Sequence, residues 1–165
     1  MAKRIAYNGM FIALALVFGY VEYLIPINFG IPGVKIGLSN IVTVIGLYFM
    51  SPIDTAIVLI ARILLSGLLF GNFLSILYSL VGGILSFAVM FLLRKIKIFT
   101  ASGVSIAGSV SHNIGQIIVA IFLVQNINII YYLPVLLISG VLMGFLIGII
   151  SGRVVDALNG NTLQK

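Results

Sequence analysis

The chain alternates between long apolar runs and short polar or turn-forming stretches. The runs lie at about 5–25, 36–50, 53–71, 73–93, 103–125 and 131–151. Between them stand Pro26 to Lys35, Ser51 with Pro52, Gly71 with Asn72, the basic stretch Arg94 to Lys97, and Gln125 to Asn128, residue types that punctuate regular structure. Within each run the apolar residues are continuous, which argues against the period-two pattern of an outer-membrane barrel and predicts helices. A helix of about 20 residues crosses the hydrocarbon core. The second run is short for that, so it is expected to begin inside a loop that dips into the membrane or to lie in a thinned region. The pattern predicts an all-α integral membrane protein, a compact bundle of six transmembrane helices forming a single domain over residues 1–165.

Composition agrees with this and removes other classes. Of 165 residues 62% are apolar and 7% are charged, nine Lys or Arg against three Asp or Glu; soluble domains carry about a quarter charged residues. The mean hydropathy is +1.31. The net charge of +6 is read as topology, with no support for nucleic-acid binding. Lys3, Arg4, Arg94, Lys95, Lys97, Arg153 and Lys165 all fall at the N-terminus, after the fourth run or after the sixth. With six spans these positions share one side, which the positive-inside rule makes cytoplasmic. Lys35 is then the one basic residue in an external loop. The start, Met1-Ala2-Lys3-Arg4 before an apolar stretch, imitates a signal peptide, but Asn8 and Glu22 interrupt it and no small-x-small cleavage site follows, so it is expected to stay as a helix.

Candidate chemistry starts from charges inside the membrane, which are costly and functional by default. Arg62 falls near the middle of the third run, His112 near the middle of the fifth, and Glu22 near the outer end of the first. Each has a structural alternative: an Arg62–Glu22 packing pair, or a His112 bonded to a carbonyl. Around His112, Ser109, Asn113 and Gln116 stand at offsets of −3, +1 and +4, and positions 109, 112 and 116 share one helical face. Such a polar stripe either binds a solute or joins helices, and its His, Asn and Gln exceed what packing needs. The loop Pro26 to Asn40 is rich in Gly and Pro, hence a shaped loop and a candidate lid, with Lys35 attracting anions. Small residues recur at helical spacing in the first run (Ala2, Ala6, Gly9, Ala13), the fourth (Ser75, Ser79, Gly82, Gly83, Ser86) and the sixth (Gly140, Gly144, Gly148, Gly152), a signal of close helix contact. The first of these runs into the basic end and would suit docking to a partner.

The chain has no Cys, hence no thiolate chemistry, no Walker A sequence and no Gly-x-Ser-x-Gly elbow. Three widely spaced acids cannot build a paired-carboxylate Mg²⁺ cluster. No cofactor, metal or catalytic activity of its own is predicted.

Four blocks carry a resemblance: Pro32-Gly-Val-Lys-Ile-Gly-Leu-Ser-Asn-Ile-Val-Thr, Ala61-Arg-Ile-Leu-Leu-Ser-Gly-Leu-Leu-Phe-Gly-Asn, Tyr78-Ser-Leu-Val-Gly-Gly-Ile-Leu-Ser and Gly108-Ser-Val-Ser-His-Asn-Ile-Gly-Gln. In this order they resemble the Gx transporter family, also labelled heptaprenyl diphosphate synthase component I. That family is similar to the substrate-binding S components of energy-coupling factor (ECF) transporters, and the likeness covers about residues 5–155. It implies a six-helix S-component-like bundle with cytoplasmic termini in a bacterial cell membrane. It also implies that the chain captures a vitamin-like or quinone- or isoprenoid-related solute from the external face, under the first loop. An ECF coupling subunit with its ATPase pair would then dock on the small residues of the first helix. The Ala-x-x-x-Ala pattern of that docking helix is matched by Ala2 and Ala6 and, with one Gly, by Gly9 and Ala13. Lys35, Asn40, Arg62, Tyr78, His112, Asn113 and Gln116 are the expected solute-lining residues, with Lys35 and Arg62 favouring an anionic or polar-headed solute and Tyr78 stacking on a ring or isoprenoid-like portion. The alternatives are a noncatalytic membrane subunit of heptaprenyl diphosphate or quinone synthesis, and a stand-alone proton-linked carrier using Glu22 and His112.

Overall fold

The computed structural model describes residues 2–25 and 36–162. Among them the helices are α1 (Ala2–Leu24), α2 (Asn40–Phe49), α3 (Pro52–Phe70), α4 (Phe73–Ile96), α5 (Ala101–Val124) and α6 (Leu133–Thr162), the last preceded by a 3₁₀ segment at Ile127–Tyr132. The first helix thus starts earlier than its apolar run, and the sixth outlasts its own. Five helical segments are long and apolar enough to cross a membrane. At 1.5 Å per residue, the ten residues of α2 span about 15 Å, half of the ~30 Å hydrocarbon core.

The helix starts are set locally. Ser51 accepts from the Asp54 N–H, with Pro52 in the first turn of α3, where its missing donor costs nothing. Asn72 and Ser75 exchange a reciprocal capping box at α4, and Thr100 caps α5 through the Gly103 N–H.

The short helix α2 is the axial plug of the bundle. Its residues Ile41 to Leu47 are all buried, against α1, α3 and α6. Ile41, Val44, Ile45 and Leu47 share one apolar cluster with Met90 of α4, Val104 of α5 and Ile147 of α6. Val42 packs with Ala15 of α1 and Val58 of α3. A helix buried all round needs no polar face, which is why this run has none. Outward-facing residues are apolar too, Leu68 and Phe122 being 75% and 77% exposed, as lipid contact requires.

The contacts show which ends lie together. Arg4 Nε of α1 pairs with the Asp54 carboxylate of α3 at 2.7 Å. Asn8 Nδ2 and Ser51 Oγ donate to the same carboxylate at 3.0 and 2.7 Å. The Arg94 guanidinium at the end of α4 lies over the Tyr48 ring at the end of α2. The start of α1, the end of α2, the start of α3 and the end of α4 therefore form one cationic end of the bundle, and α2 fills that half of the axis.

Helix α1 packs chiefly on α3 and α2 and has a single buried residue, Ala15, so the Asp54 network is its main tie at this end. Asp54→Ala is expected to speed hydrogen exchange in the first two turns of α1 and leave α5 and α6 unchanged. Unaltered exchange in α1 would mean that packing alone holds it.

The small-residue stripes divide by role. On α6, Gly140 faces Ser109 and Asn113, Gly144 faces Ile106 and Ser109, and Gly148 faces Ser102 and Ser105. That stripe is the seam with α5. Gly82 of α4 meets His112 and Gly115 of α5, and Gly83 meets Ile63 of α3. On α1, by contrast, Ala2, Ala6, Gly9 and Ala13 are exposed, and nothing lies within 4 Å of a Cβ built at Gly9.

Candidate functional site

Above the plug the axis is hollow. Ser39 and Asn40 open α2 about halfway along the axis. Arg62 is ten residues past Pro52 in α3, and His112 eleven past Ala101 in α5. Both helices run outward from the cationic end, so these two side chains stand about 15 Å along, at the depth where α2 begins. The upper half of the axis is a cavity of about 440 Å³, lined from α1, the 36–40 segment, α3, α4, α5 and α6. This volume falls in the range of small-molecule pockets.

The floor is a short stretch of non-helical backbone, which at membrane depth persists only where protein buries it or a cavity solvates it. Here two charged side chains hold it. Glu22 Oε1 accepts the Gly37 N–H at 2.7 Å and Oε2 the Leu38 N–H at 3.1 Å. Gly37 has φ +76°, a conformation open to glycine without strain, and it turns both amides toward the carboxylate. From the other side Arg62 Nη1 donates to Ser39 Oγ at 2.7 Å and Nη2 to Asn40 Oδ1 at 3.2 Å. Glu22 and Arg62 therefore meet through residues 37–40 rather than as a direct pair; among the described residues the ion pair is Arg4–Asp54. Arg62 Nε is buried and makes no hydrogen bond.

The walls mix uncharged polar side chains with apolar ones such as Ile63, Met143 and Ile147. Ser66 and Gly67 come from α3, Ser75 and Ser79 from α4, Ser109, His112, Asn113 and Gln116 from α5, and Ser139 and Gly140 from α6. His112 packs on Gly82, where an added Cβ would come within 3.0 Å of its Nδ1, so the bare backbone of α4 makes room for the ring. Asn113 Nδ2 and Ser139 Oγ both donate to the Leu136 carbonyl, binding α5 to α6 beside the cavity. At the rim, Tyr20 and Tyr23 of α1 lie against Phe70 of α3, with ring centroids 5.2 and 5.8 Å apart. Tyr23 and Phe70 also line the cavity.

Of the solute-lining residues expected from sequence, Asn40, Arg62, His112, Asn113 and Gln116 surround this one cavity, and Glu22 joins them. Tyr78, one position from the lining residue Ser79, does not line it and is half-buried. Lys35 and the first part of the loop, residues 26–35, lie outside the described residues. The expectation missed Ser39, Ser66, Ser79 and Ser139. Ser75 and Ser79 carry a readable signal, a four-residue spacing that also suits packing; of that stripe Gly82, Gly83 and Ser86 are at helix contacts while Ser75 and Ser79 line the cavity.

Residues 11–154 match the family model described as heptaprenyl diphosphate synthase component I. No curated protein and no solved structure matches the chain.

Proposed function

Because the chain belongs to the heptaprenyl diphosphate synthase component I family, a family named for one part of a larger assembly, we propose that it is a noncatalytic membrane subunit that captures a small molecule. In this reading it is the substrate-binding S component of an ECF-type importer, in the cytoplasmic membrane of a bacterium with its cationic end inside. The observation that carries the reading is the polar cavity on the bundle axis. It is closed below by the α2 plug and lies toward the end opposite the cationic residues, as capture from the external face requires. The exposed Ala2, Ala6, Gly9 and Ala13 face of α1 supports docking of a coupling subunit with its ATPase pair, because small residues let another helix approach closely.

The test is to purify the protein in mild detergent, denature it and identify what is released by mass spectrometry. A stoichiometric small molecule is expected, with less than about a tenth of it retained by a folded His112→Ala variant, a loss of about 1.4 kcal/mol or more.

The family description favours a second reading, a noncatalytic subunit of heptaprenyl diphosphate synthesis. If the folded protein releases only bulk lipid and co-purifies with a soluble prenyl synthase, this second reading replaces the first.

A further inference from the structure

We infer that the cavity selects a small solute that is uncharged overall and rich in hydrogen-bond donors (amino, ring N–H or hydroxyl groups), and that it does not take a prenyl diphosphate. The inference rests on the solute-capture reading above and narrows it to a chemical class.

Formal charge comes first. Among the described lining residues one carboxylate, Glu22, stands against one guanidinium, Arg62. Both are already engaged with residues 37–40. A solute with two phosphoryl groups would bring several negative charges to membrane depth, where an uncompensated charge is expensive. Among the described lining residues it would meet one cation and the fixed negative charge of Glu22. Nor do the described residues gather three or more His, Cys, Asp or Glu that could hold a bridging Mg²⁺.

Proton direction comes second. A serine hydroxyl has one proton and two lone pairs. Ser66 donates its proton to the Ile63 carbonyl, Ser75 to Asn72 and Ser139 to Leu136. What Ser66 and Ser139 offer the cavity is therefore lone pairs, and Ser75, which also accepts the Asn72 N–H, has one left. Asn113 commits an amide N–H to Leu136, while its Oδ1 is an acceptor. The carboxylate of Glu22 accepts one bond at each oxygen and has capacity for more. The α3, α4 and α6 walls are thus acceptor-rich, complementary to N–H and O–H groups. At the floor, Arg62 keeps three of its five N–H donors, and Ser39 and Asn40, whose oxygens accept from it, keep a hydroxyl proton and an amide NH2, so this side takes acceptors on the solute. Tyr23 and Phe70 supply a flat apolar surface at the rim.

The full-length protein in lipid nanodiscs is incubated with the small-molecule fraction of a bacterial lysate, washed and denatured, and the retained compound is identified by mass spectrometry. Geranyl diphosphate, with and without Mg²⁺, is titrated separately against the thermal midpoint. The retained compound is expected to be net-uncharged at neutral pH with multiple N–H or O–H groups, and geranyl diphosphate to give no saturable shift. Ser66→Ala and Ser139→Ala should each weaken binding of the retained compound about three- to tenfold, the usual worth of one hydrogen bond. A retained polyanion, a saturable geranyl diphosphate shift, or full affinity in both serine variants overturns the inference and leaves solute capture standing. A folded protein that retains nothing overturns solute capture and this inference with it.

Discussion

Arg62→Ala is expected to fold and to bind its solute about 10- to 150-fold more weakly. The two halves of that expectation have separate causes. Folding survives because a cation at helix centre costs about 2.5–3.5 kcal/mol on insertion scales, a cost that alanine removes. Glu22 is not orphaned, since its oxygens keep the Gly37 and Leu38 amides. Binding suffers because Arg62 fixes Ser39 and Asn40 at the cavity floor and is the cation of the lining. A hydrogen bond to a charged group is worth about 1.5–3 kcal/mol, which gives the stated range. Arg62→Lys should fall between, because an ammonium keeps the charge but cannot hold Ser39 and Asn40 with a rigid fork. Isothermal titration of the folded variants with the compound released from wild type decides the matter; equal affinity for Arg62→Ala would remove this residue from the site.

Gly115→Val should be strongly destabilising. A Cβ at position 115 would lie 2.8 Å from Gly82 Cα and 3.1 Å from Gly82 N, and one at position 82 would lie 2.8 Å from the His112 carbonyl oxygen. These are backbone atoms, so no rotamer change relieves the contact and α4 and α5 must separate. Overpacking costs about 1–3 kcal/mol, occasionally more, and rigid helix backbones put this case at the upper end. At about 2–4 °C per kcal/mol for a chain of this size, the thermal midpoint should fall by roughly 6–12 °C. The same displacement moves His112 off its seat on Gly82, so solute retention should fall as well. Gly9→Val is the control: α1 is open there, and the midpoint should hold. An unchanged midpoint in Gly115→Val would show that the two helices do not touch at this level.

Much of this architecture was legible from hydrophobic runs and turn residues, because lipid contact forces continuous apolar helices and leaves the breaks conspicuous. The second run is short for a span, which suggests a dipping loop or a thinned region, yet nothing in its sequence says that it lies at the centre. Ile41 to Leu47 would read the same in a peripheral segment, and the distinction comes from five surrounding helices. Arg62, His112, Asn113 and Gln116 stood out because polar residues are rare in such runs, and they do line one cavity. The chemistry of Tyr78 suits a binding site, but no register in the sequence places it, and it does not line the cavity. The serines were overlooked because a hydroxyl in a membrane helix has two uses, packing and binding, at the same spacing. Asp54 was passed over although Ser51-x-x-Asp54 is a helix-start pattern; its partners Arg4 and Asn8 are some fifty positions away in sequence, beyond any local rule.

The half-length of α2 separates two kinds of mutational freedom along the membrane normal. On α4, Ser75 and Ser79 face the hollow half while Met90 belongs to the packed half; on α5, Gln116 and Val104 divide in the same way. Both helices therefore carry cavity lining at one end and packing at the other, several turns apart, where substitutions act nearly additively. A lineage can exchange the upper residues and acquire a new ligand while the lower ones keep the barrel of helices intact. Diversity among proteins built on this plan should accordingly concentrate above the level of Asn40, and laboratory selection for altered specificity has its productive positions there.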